Sequence, residues 1–547
     1  MGVKRTCEVC EASDTLVCSA CHTSHYCSSD HRRRHWDAHK INCRPMIERQ
    51  DPLAGRFMVT SRDVVAGELL LTETPIALGP GATSPLICLG CHQYITGTEF
   101  PRCSSCWWPL CSPACASSSL HQAECPILAV DAKRIGQPKA PGSTPRYDII
   151  LVLRCLLLRG TDPSAWRRLL DMASHSQRRV QEGDQHHVAT TQYIKDVLKV
   201  DYDLEDIQHV RDVIITNCFE WRSPLGVCLR GVYPLLARMN HSCRPNVALS
   251  SECDGTMYVR AATDLQGGDQ LYVTYTITTE PLWERRTYTK HIHYFTCDCV
   301  RCADPTELGL HFSSPRCEHC HNQYLEATTW LGEVTWECPW CGSQKLEMVI
   351  RLEVEQWLAR FESDDTFLNT GPRAIRNILE KVEEAFHPQH YVWMRAAQVA
   401  VKALWMDRSR DAAVLRRDLW ARLLKIYSVL EPGLSRRRGV TLYEAGVAQA
   451  VLTRVERDAG VLTDHFFKLQ LRQSLEHLQE AMRVLSLEPE RSRERRWHQR
   501  ASEAAAEVAR ELGVALPPTP SPPLVVAKDK PLQKRNVQNR VTHINPP

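Results

Sequence analysis

The densest run of chemically capable side chains lies between Arg230 and Asn246, RGVYPLLARMNHSCRPN. There a Gly-aromatic-Pro turn and an apolar run (Leu235, Leu236, Met239) lead into Asn240-His241-Ser242-Cys243-x-Pro245-Asn246. Asn, His and Ser bring short donors and acceptors, Pro245 restricts the backbone, and Cys243 offers a thiolate to a metal. Downstream stand Thr274-Tyr275 and then Cys297-x-Cys299-x2-Cys302, three thiolates with no fourth partner close by in the chain. Cys243 can supply it, which would tie the Asn-His-Ser turn to a zinc ion.

Metal-ligand spacing recurs along the chain. Cys7-x2-Cys10-x7-Cys18-x2-Cys21-x5-Cys27-x3-His31-x7-His39-x3-Cys43 places eight sulfur or imidazole ligands within 37 residues, enough for two tetrahedral zinc sites. The same rhythm returns in Cys88-x2-Cys91-x11-Cys103-x2-Cys106-x4-Cys111-x3-Cys115-x5-His121-x3-Cys125, and Cys317-x2-Cys320-x17-Cys338-x2-Cys341 has the spacing of a zinc ribbon. These groups absorb 21 of the 25 cysteines and leave Cys155, Cys218, Cys228 and Cys253 as thiols. The tally is about six zinc ions. A disulfide framework suits an oxidising compartment, and no apolar stretch of about 18 residues or signal-type h-region points there. The chain is therefore expected to stay inside the cell and to contact no membrane.

Composition narrows the class further. At 547 residues the chain has room for three or four domains, and 43% apolar with 24% charged residues is ordinary for a globular protein. A net charge of +3 is too balanced for global attraction to nucleic acid. The run His31-Arg32-Arg33-Arg34-His35 reads more simply as a solvated helix face than as a nucleic-acid contact. Ile149-Ile150-x2-Leu153-x3-Leu157 predicts a helix with one apolar face, and Asp162-Pro163 opens another with Trp166, Leu169 and Leu170 spaced for burial. Gly55 to Pro75 alternates as two strands around a Gly turn. From Met348 to Leu512 come helical stripes such as Ala397, Val401, Leu404 and Leu471, Leu475, Leu478, Met482, Leu485. They could pack on the rest of the molecule or form a peptide groove. The Pro-, Ser- and Lys-rich segment beyond Leu516 reads as a disordered tail.

Asn240-His241-Ser242-Cys243-x-Pro245-Asn246, Thr274-Tyr275 and the Cys297 to Cys302 triad resemble the carboxyl half of a SET domain with its post-SET zinc site. With the interleaved clusters, the chain from about Cys7 to Cys341 resembles the SET and MYND domain (SMYD) family of protein-lysine methyltransferases, nearest its arthropod SmydA-like branch. The resemblance implies an α+β fold: a SET β-fold with an inserted MYND finger and helical insert, an extra N-terminal MYND finger, a zinc ribbon and a C-terminal α-helical domain like tetratricopeptide repeats. The implied divisions are 1–46, N-terminal MYND-type finger; 47–87, SET N-terminal segment; 88–126, second, divergent MYND-like finger; 127–215, helical SET insert; 216–285, SET C-terminal segment; 286–305, post-SET zinc site; 306–347, zinc ribbon; 348–515, helical C-terminal domain; and 516–547, tail. Carried over by position, one zinc takes Cys7, Cys10, Cys27 and His31 and another Cys18, Cys21, His39 and Cys43. In the second finger the sets are Cys88, Cys91, Cys111, Cys115 and Cys103, Cys106, His121, Cys125. The post-SET ion takes Cys243, Cys297, Cys299 and Cys302, and the ribbon ion Cys317, Cys320, Cys338 and Cys341.

The implied activity is S-adenosylmethionine-dependent methylation of lysine in a histone or other protein, linked to transcriptional regulation in the nucleus and cytoplasm. Tyr275 would orient the amine as the catalytic residue, and Asn217, Asn240, His241, Tyr275 and Phe295 would hold S-adenosyl-L-methionine. Taken alone, Leu271, Val273 and Tyr275 read as one core face of a strand. MYND fingers of this kind bind proline-rich peptides or corepressor-type proteins, and the chain would be a monomer. Three positions depart from the family pattern: Phe57 where a second glycine is usual, Val59 where a basic residue is, and His293 where a tyrosine is. They favour the alternative of a zinc scaffold, catalytically weak or inactive, that mediates protein-protein interactions.

Overall fold

The alternating stretch after residue 55 forms two strands, yet they do not pair with each other. In the computed structural model Gly55–Thr60 runs antiparallel to Met46–Asp51, with Met46 opposite Thr60 and Asp51 opposite Gly55. Leu69–Glu73 instead joins Met257–Ala261, which pairs in turn with Val247–Ser251. A third sheet orders Ala77–Pro80, Cys228–Val232 and Cys218–Arg222. The structure describes residues 6–13, 16–18, 24–43, 45–52, 55–96, 99–132, 145–183, 185–223, 226–328, 334–362 and 370–516; the side chains of Val17, 40–43, 185–187 and Glu362 are not described.

A short parallel pair sets Asn240–His241 beside Tyr272–Val273 as a separate two-stranded sheet. Asn246 extends it: its side-chain oxygen accepts from the Tyr272 N–H at 2.8 Å and its amide donates to the Gln270 carbonyl at 2.8 Å. One amide side chain thus stands in for a missing stretch of strand. The turn before it is held by the Glu73 carboxylate, which accepts from the N–H groups of Leu235 (2.9 Å) and Leu236 (2.8 Å). Leu236 and Met239 are fully buried beneath.

Helix Ile150–Thr161 is buried on nearly every side, broader than one apolar face, because it lies between the Ala77–Pro80 strand and the second cysteine finger. Arg154 on this helix grips the buried Glu124 carboxylate in a bidentate pair at 2.7 and 2.9 Å. Its Nη1 also donates to the Leu78 carbonyl and to His92. Packing against the finger therefore overrides amphipathicity. Asp162 caps the next helix, Pro163–Leu170, by accepting from the N–H groups of Ser164 and Ala165. In that helix Leu169 is buried as its spacing predicts, whereas Leu170 is exposed, since only one narrow side meets the neighbouring helices.

The ribbon strands Glu326–Ala327, Thr335–Glu337 and Gln344–Leu346 form a small antiparallel sheet. Among the described residues seven helices follow, Glu347–Glu362, Pro372–Ala385, Tyr391–Ala403, Arg410–Leu430, Arg436–Asp458, Asp464–Leu485 and Arg495–Leu512. The predicted stripes Ala397, Val401, Leu404 and Leu471 to Leu485 all point into their cores. The helical region also packs on the sheets: the Leu434 N–H donates to the Ala262 carbonyl at 2.9 Å, and Arg244 donates to the Val429 carbonyl. Gly433 makes this approach possible at φ +71°, where a Cβ would lie 1.9 Å from the Ala262 oxygen.

Gly460 shares the left-handed conformation, φ +70°, but faces open space. Gly460→Ala is expected to lower stability by about 1 kcal/mol through backbone strain alone. Gly433→Ala should lower it by roughly 3 kcal/mol or more, because the helical region must also shift off Ala262. Chemical denaturation of the two variants side by side checks the difference.

Candidate functional site

Five groups of four ligands converge among the described residues: Cys7, Cys10, Cys27, His31; Cys88, Cys91, Cys111, Cys115; Cys103, Cys106, His121, Cys125; Cys243, Cys297, Cys299, Cys302; and Cys317, Cys320, Cys338, Cys341. Within each, the ligand atoms lie within 4.8 Å of one another. A tetrahedral Zn–S bond of about 2.3 Å requires sulfurs roughly 3.8 Å apart. The Cys243 sulfur is 3.9 Å from that of Cys297 and 3.5 Å from that of Cys302, so the donor set fits zinc. The sixth expected set cannot be completed, since Cys21 and the Cys43 side chain lie outside the described residues. Of its other members, Cys18 is buried and His39 Nδ1 is 3.0 Å from the Ser24 hydroxyl. The four remaining thiols divide into buried Cys155, exposed Cys253, and Cys218 and Cys228 between these extremes.

The zinc group at Cys243 is charge-compensated from below. Four thiolates around Zn2+ leave a net charge of −2, and the fully buried Arg285 donates to the Cys302 sulfur at 3.5 Å. Arg285 and Arg301 share the Glu307 carboxylate at 2.8 and 2.9 Å, itself buried, so this trio contributes +1 beneath the metal.

His241 joins the zinc group to the predicted catalytic tyrosine. Its Nδ1 accepts from the Tyr275 backbone N–H at 2.9 Å, which leaves the proton on Nε2, 3.3 Å from the Cys243 sulfur. Burial holds the ring neutral, its pKa lowered to about 4. Both ring nitrogens are thus engaged inside the protein, and the side chain braces Tyr275. The rings of His241 and Tyr275 stack at 5.2 Å and 29°, and His293 lies against the same tyrosine at 4.4 Å and 30°.

Tyr275 borders a cavity of ≈ 780 Å³. Its walls come from the end of helix Leu204–Asn217, strand Cys218–Arg222, the segment Thr274 to Ile277 and helix Leu282–His293. Phe219, Tyr288 and His293 supply rings, while Glu220, Glu280 and Glu284 supply carboxylates. The Tyr275 hydroxyl donates to the Met239 carbonyl at 2.9 Å, so its oxygen keeps lone pairs for an incoming donor; burial pushes its pKa up. Burial also keeps His293 neutral, with a pKa lowered to about 3. The helix end that presents His293 is held by helix Ser176–Gln181: Arg178 donates to the Tyr294 carbonyl and Arg179 to the Ile292 carbonyl.

Asn217 lines the cavity, but its amide hydrogens are spent on the carbonyls of Ala173 (2.6 Å) and Val213 (2.8 Å). Only its side-chain oxygen is left to a ligand. Asn240, His241 and Phe295 do not line this cavity. Asn240 sits in the parallel pair, and the half-exposed Phe295 ring is 6.2 Å from His241, behind Tyr275. Next to this region, Arg56 and Arg238 both grip the Asp171 carboxylate at 2.7 Å, which holds its pKa below the usual carboxylate range. Sequence reasoning missed Glu73, Asn246, Arg285 and Glu307 as supports. Asn246 lay inside the motif itself; the other three carry no local signal, because Glu73 holds N–H groups more than 160 positions away and the Arg285–Glu307 pair spans 22.

The family model for a MYND finger matches residues 7–43, and that for a SET domain matches 110–276. The SET match omits Met46 to Pro80, although two strands there pair with strands inside it. The chain is 30% identical over 305 residues to SET domain-containing protein SmydA-8, isoform A, of Drosophila melanogaster, covering 53% of this chain and 63% of that protein. It is 26% identical over 273 residues to histone-lysine N-methyltransferase ASHR1 of Arabidopsis thaliana, covering 46% and 54%. To N-lysine methyltransferase SMYD2-B of Danio rerio it is 26% identical over 272 residues, covering 47% and 60%. The chain therefore spans under two thirds of the length of each of these relatives.

Cys243→Ala should lower the zinc content by one ion per chain and free the His241 ring. Hydrogen exchange should then lose protection at the Tyr275 and Ser242 amides first, while the Cys317 to Cys341 ribbon keeps its own.

Proposed function

From a chain that carries a MYND finger and a SET domain, we propose an S-adenosylmethionine-dependent protein-lysine N-methyltransferase. Its substrate would be a histone or other protein in the nucleus and cytoplasm, with a link to transcriptional regulation. The observation that carries this reading is the cavity bordered by Tyr275, whose wall rests through His241 on the Cys243 group. S-adenosylmethionine supplies, when bound, an activated methyl group on a positively charged sulfur. Tyr275, Tyr288 and His293 offer ring surface to a cation, and Asn217 offers its side-chain oxygen to an ammonium group.

Glu220, Glu280 and Glu284 line the cavity together with Arg230 and Arg285, and the one carboxylate in excess favours a protonated lysine. The rings in the lining strip water from it, and a pKa of about 10.4 in water falls as the charged form is desolvated. The neutral amine then presents its lone pair. Tyr275, anchored to the Met239 carbonyl, aims one amine N–H by accepting it. The proton that nitrogen sheds on methylation leaves to solvent. The MYND fingers would recruit proline-rich peptides or corepressor-type proteins to a monomeric chain.

Phe57, Val59 and His293 favour a second reading, a zinc scaffold of little or no activity. Calorimetry separates the two. Micromolar binding of S-adenosylmethionine by the zinc-loaded chain supports the enzyme, and no heat supports the scaffold. With labelled methyl donor and a protein substrate, Tyr275→Phe should lower kcat by roughly 10²- to 10³-fold while shifting cofactor affinity little.

A further inference from the structure

Several apolar side chains are exposed where the zinc ribbon passes into the helical region. Trp340 is 75% exposed and Met348 66%, and Leu346, Val349 and Leu352 are exposed with them. Helix Glu347–Glu362 turns Ile350, Val354 and Phe361 into the core and leaves Met348, Val349 and Leu352 on the opposite side. The fold does not need this face to be apolar, and such patches mark contact surfaces. Its border is acidic. Exposed Glu355 continues the Met348-Leu352 stripe, and Glu318 and Glu353 share a single cation, Lys345, at 2.6 and 2.5 Å.

The chain carries a segment of matching chemistry. Residues 530–547 hold Lys530, Lys534, Arg535 and Arg540 with no acidic residue, interspersed with Leu532, Val537, Val541 and Ile544. The last described residue is Leu516. Leu532 follows it by 16 positions and Ile544 by 28, a reach of about 50 to 95 Å when extended. We propose that the C-terminal segment 530–544 docks in cis on the Trp340, Met348 and Leu352 face. Leu532, Val537, Val541 and Ile544 cover the apolar stripe, and Lys534, Arg535 and Arg540 pair with Glu318, Glu353 and Glu355. Docking fastens the end of the helical region to the ribbon that begins it, independently of whether the cavity methylates lysine.

The experiment uses the full, zinc-loaded chain with Val537 replaced by the photoreactive p-benzoylphenylalanine. Irradiation at low micromolar concentration, followed by peptide mass mapping, should give intramolecular cross-links concentrated within residues 340–356. Leu352→Glu should reduce their yield about tenfold at unchanged zinc content and helicity, since Leu352 supports no core, and 0.5 M salt should weaken them. Cross-links only between two copies would overturn the proposal in favour of self-association. Cross-links elsewhere, or a yield unaffected by Leu352→Glu, would overturn it outright.

Discussion

Everything at the candidate site depends on one imidazole held between a metal ligand and a backbone amide. His241 can accept from Tyr275 only while its other nitrogen keeps a proton, and that proton points at the Cys243 sulfur. A thiolate is the better acceptor, and coordination to zinc keeps the sulfur a thiolate. Metal loading, ring tautomer and the position of Tyr275 are thus one state. Burial keeps the ring neutral, and the two contacts leave it no alternative arrangement.

The surroundings are arranged to sustain that state. Arg285, Arg301 and Glu307 place a net positive charge under the thiolates, where an unpaired buried anion would be costly. Glu73 and Asn246 replace missing backbone partners on either side of the parallel pair. The second finger is not an appendage, because Arg154 fastens it by a buried bidentate pair to the helix that also underlies the cavity sheet. Metal sites far apart in sequence hence stabilise one continuous body.

The cavity combines two demands that oppose each other. Glu220, Glu280 and Glu284 in its lining favour a cation, while the neutral rings beside them disfavour a charged form. The proposed lysine methylation needs both, one to capture the side chain and the other to expose its lone pair. Burial keeps His293 neutral, so its ring adds no positive charge to the cavity wall.

The amino-acid sequence by itself determined what short spacing can carry. Cys-x2-Cys pairs, the Asn-His-Ser-Cys turn and the helical stripes specify local chemistry, and the ligand groups and apolar faces follow from it. The pairing of Cys243 with a triad more than 50 residues away was legible because three thiolates need a fourth. Only the tertiary structure decided that Leu69–Glu73 pairs with a strand nearly 190 positions later rather than with its neighbour, since strand pairing depends on which edges meet. It also decided that both nitrogens of the His241 ring are taken up inside the protein, that Asn217 has one side-chain atom to spare, and that Asn240 and Phe295 do not line the cavity beside Tyr275. Those outcomes turn on the direction of single hydrogen bonds and on partners distant in the chain, which residue type and spacing do not encode.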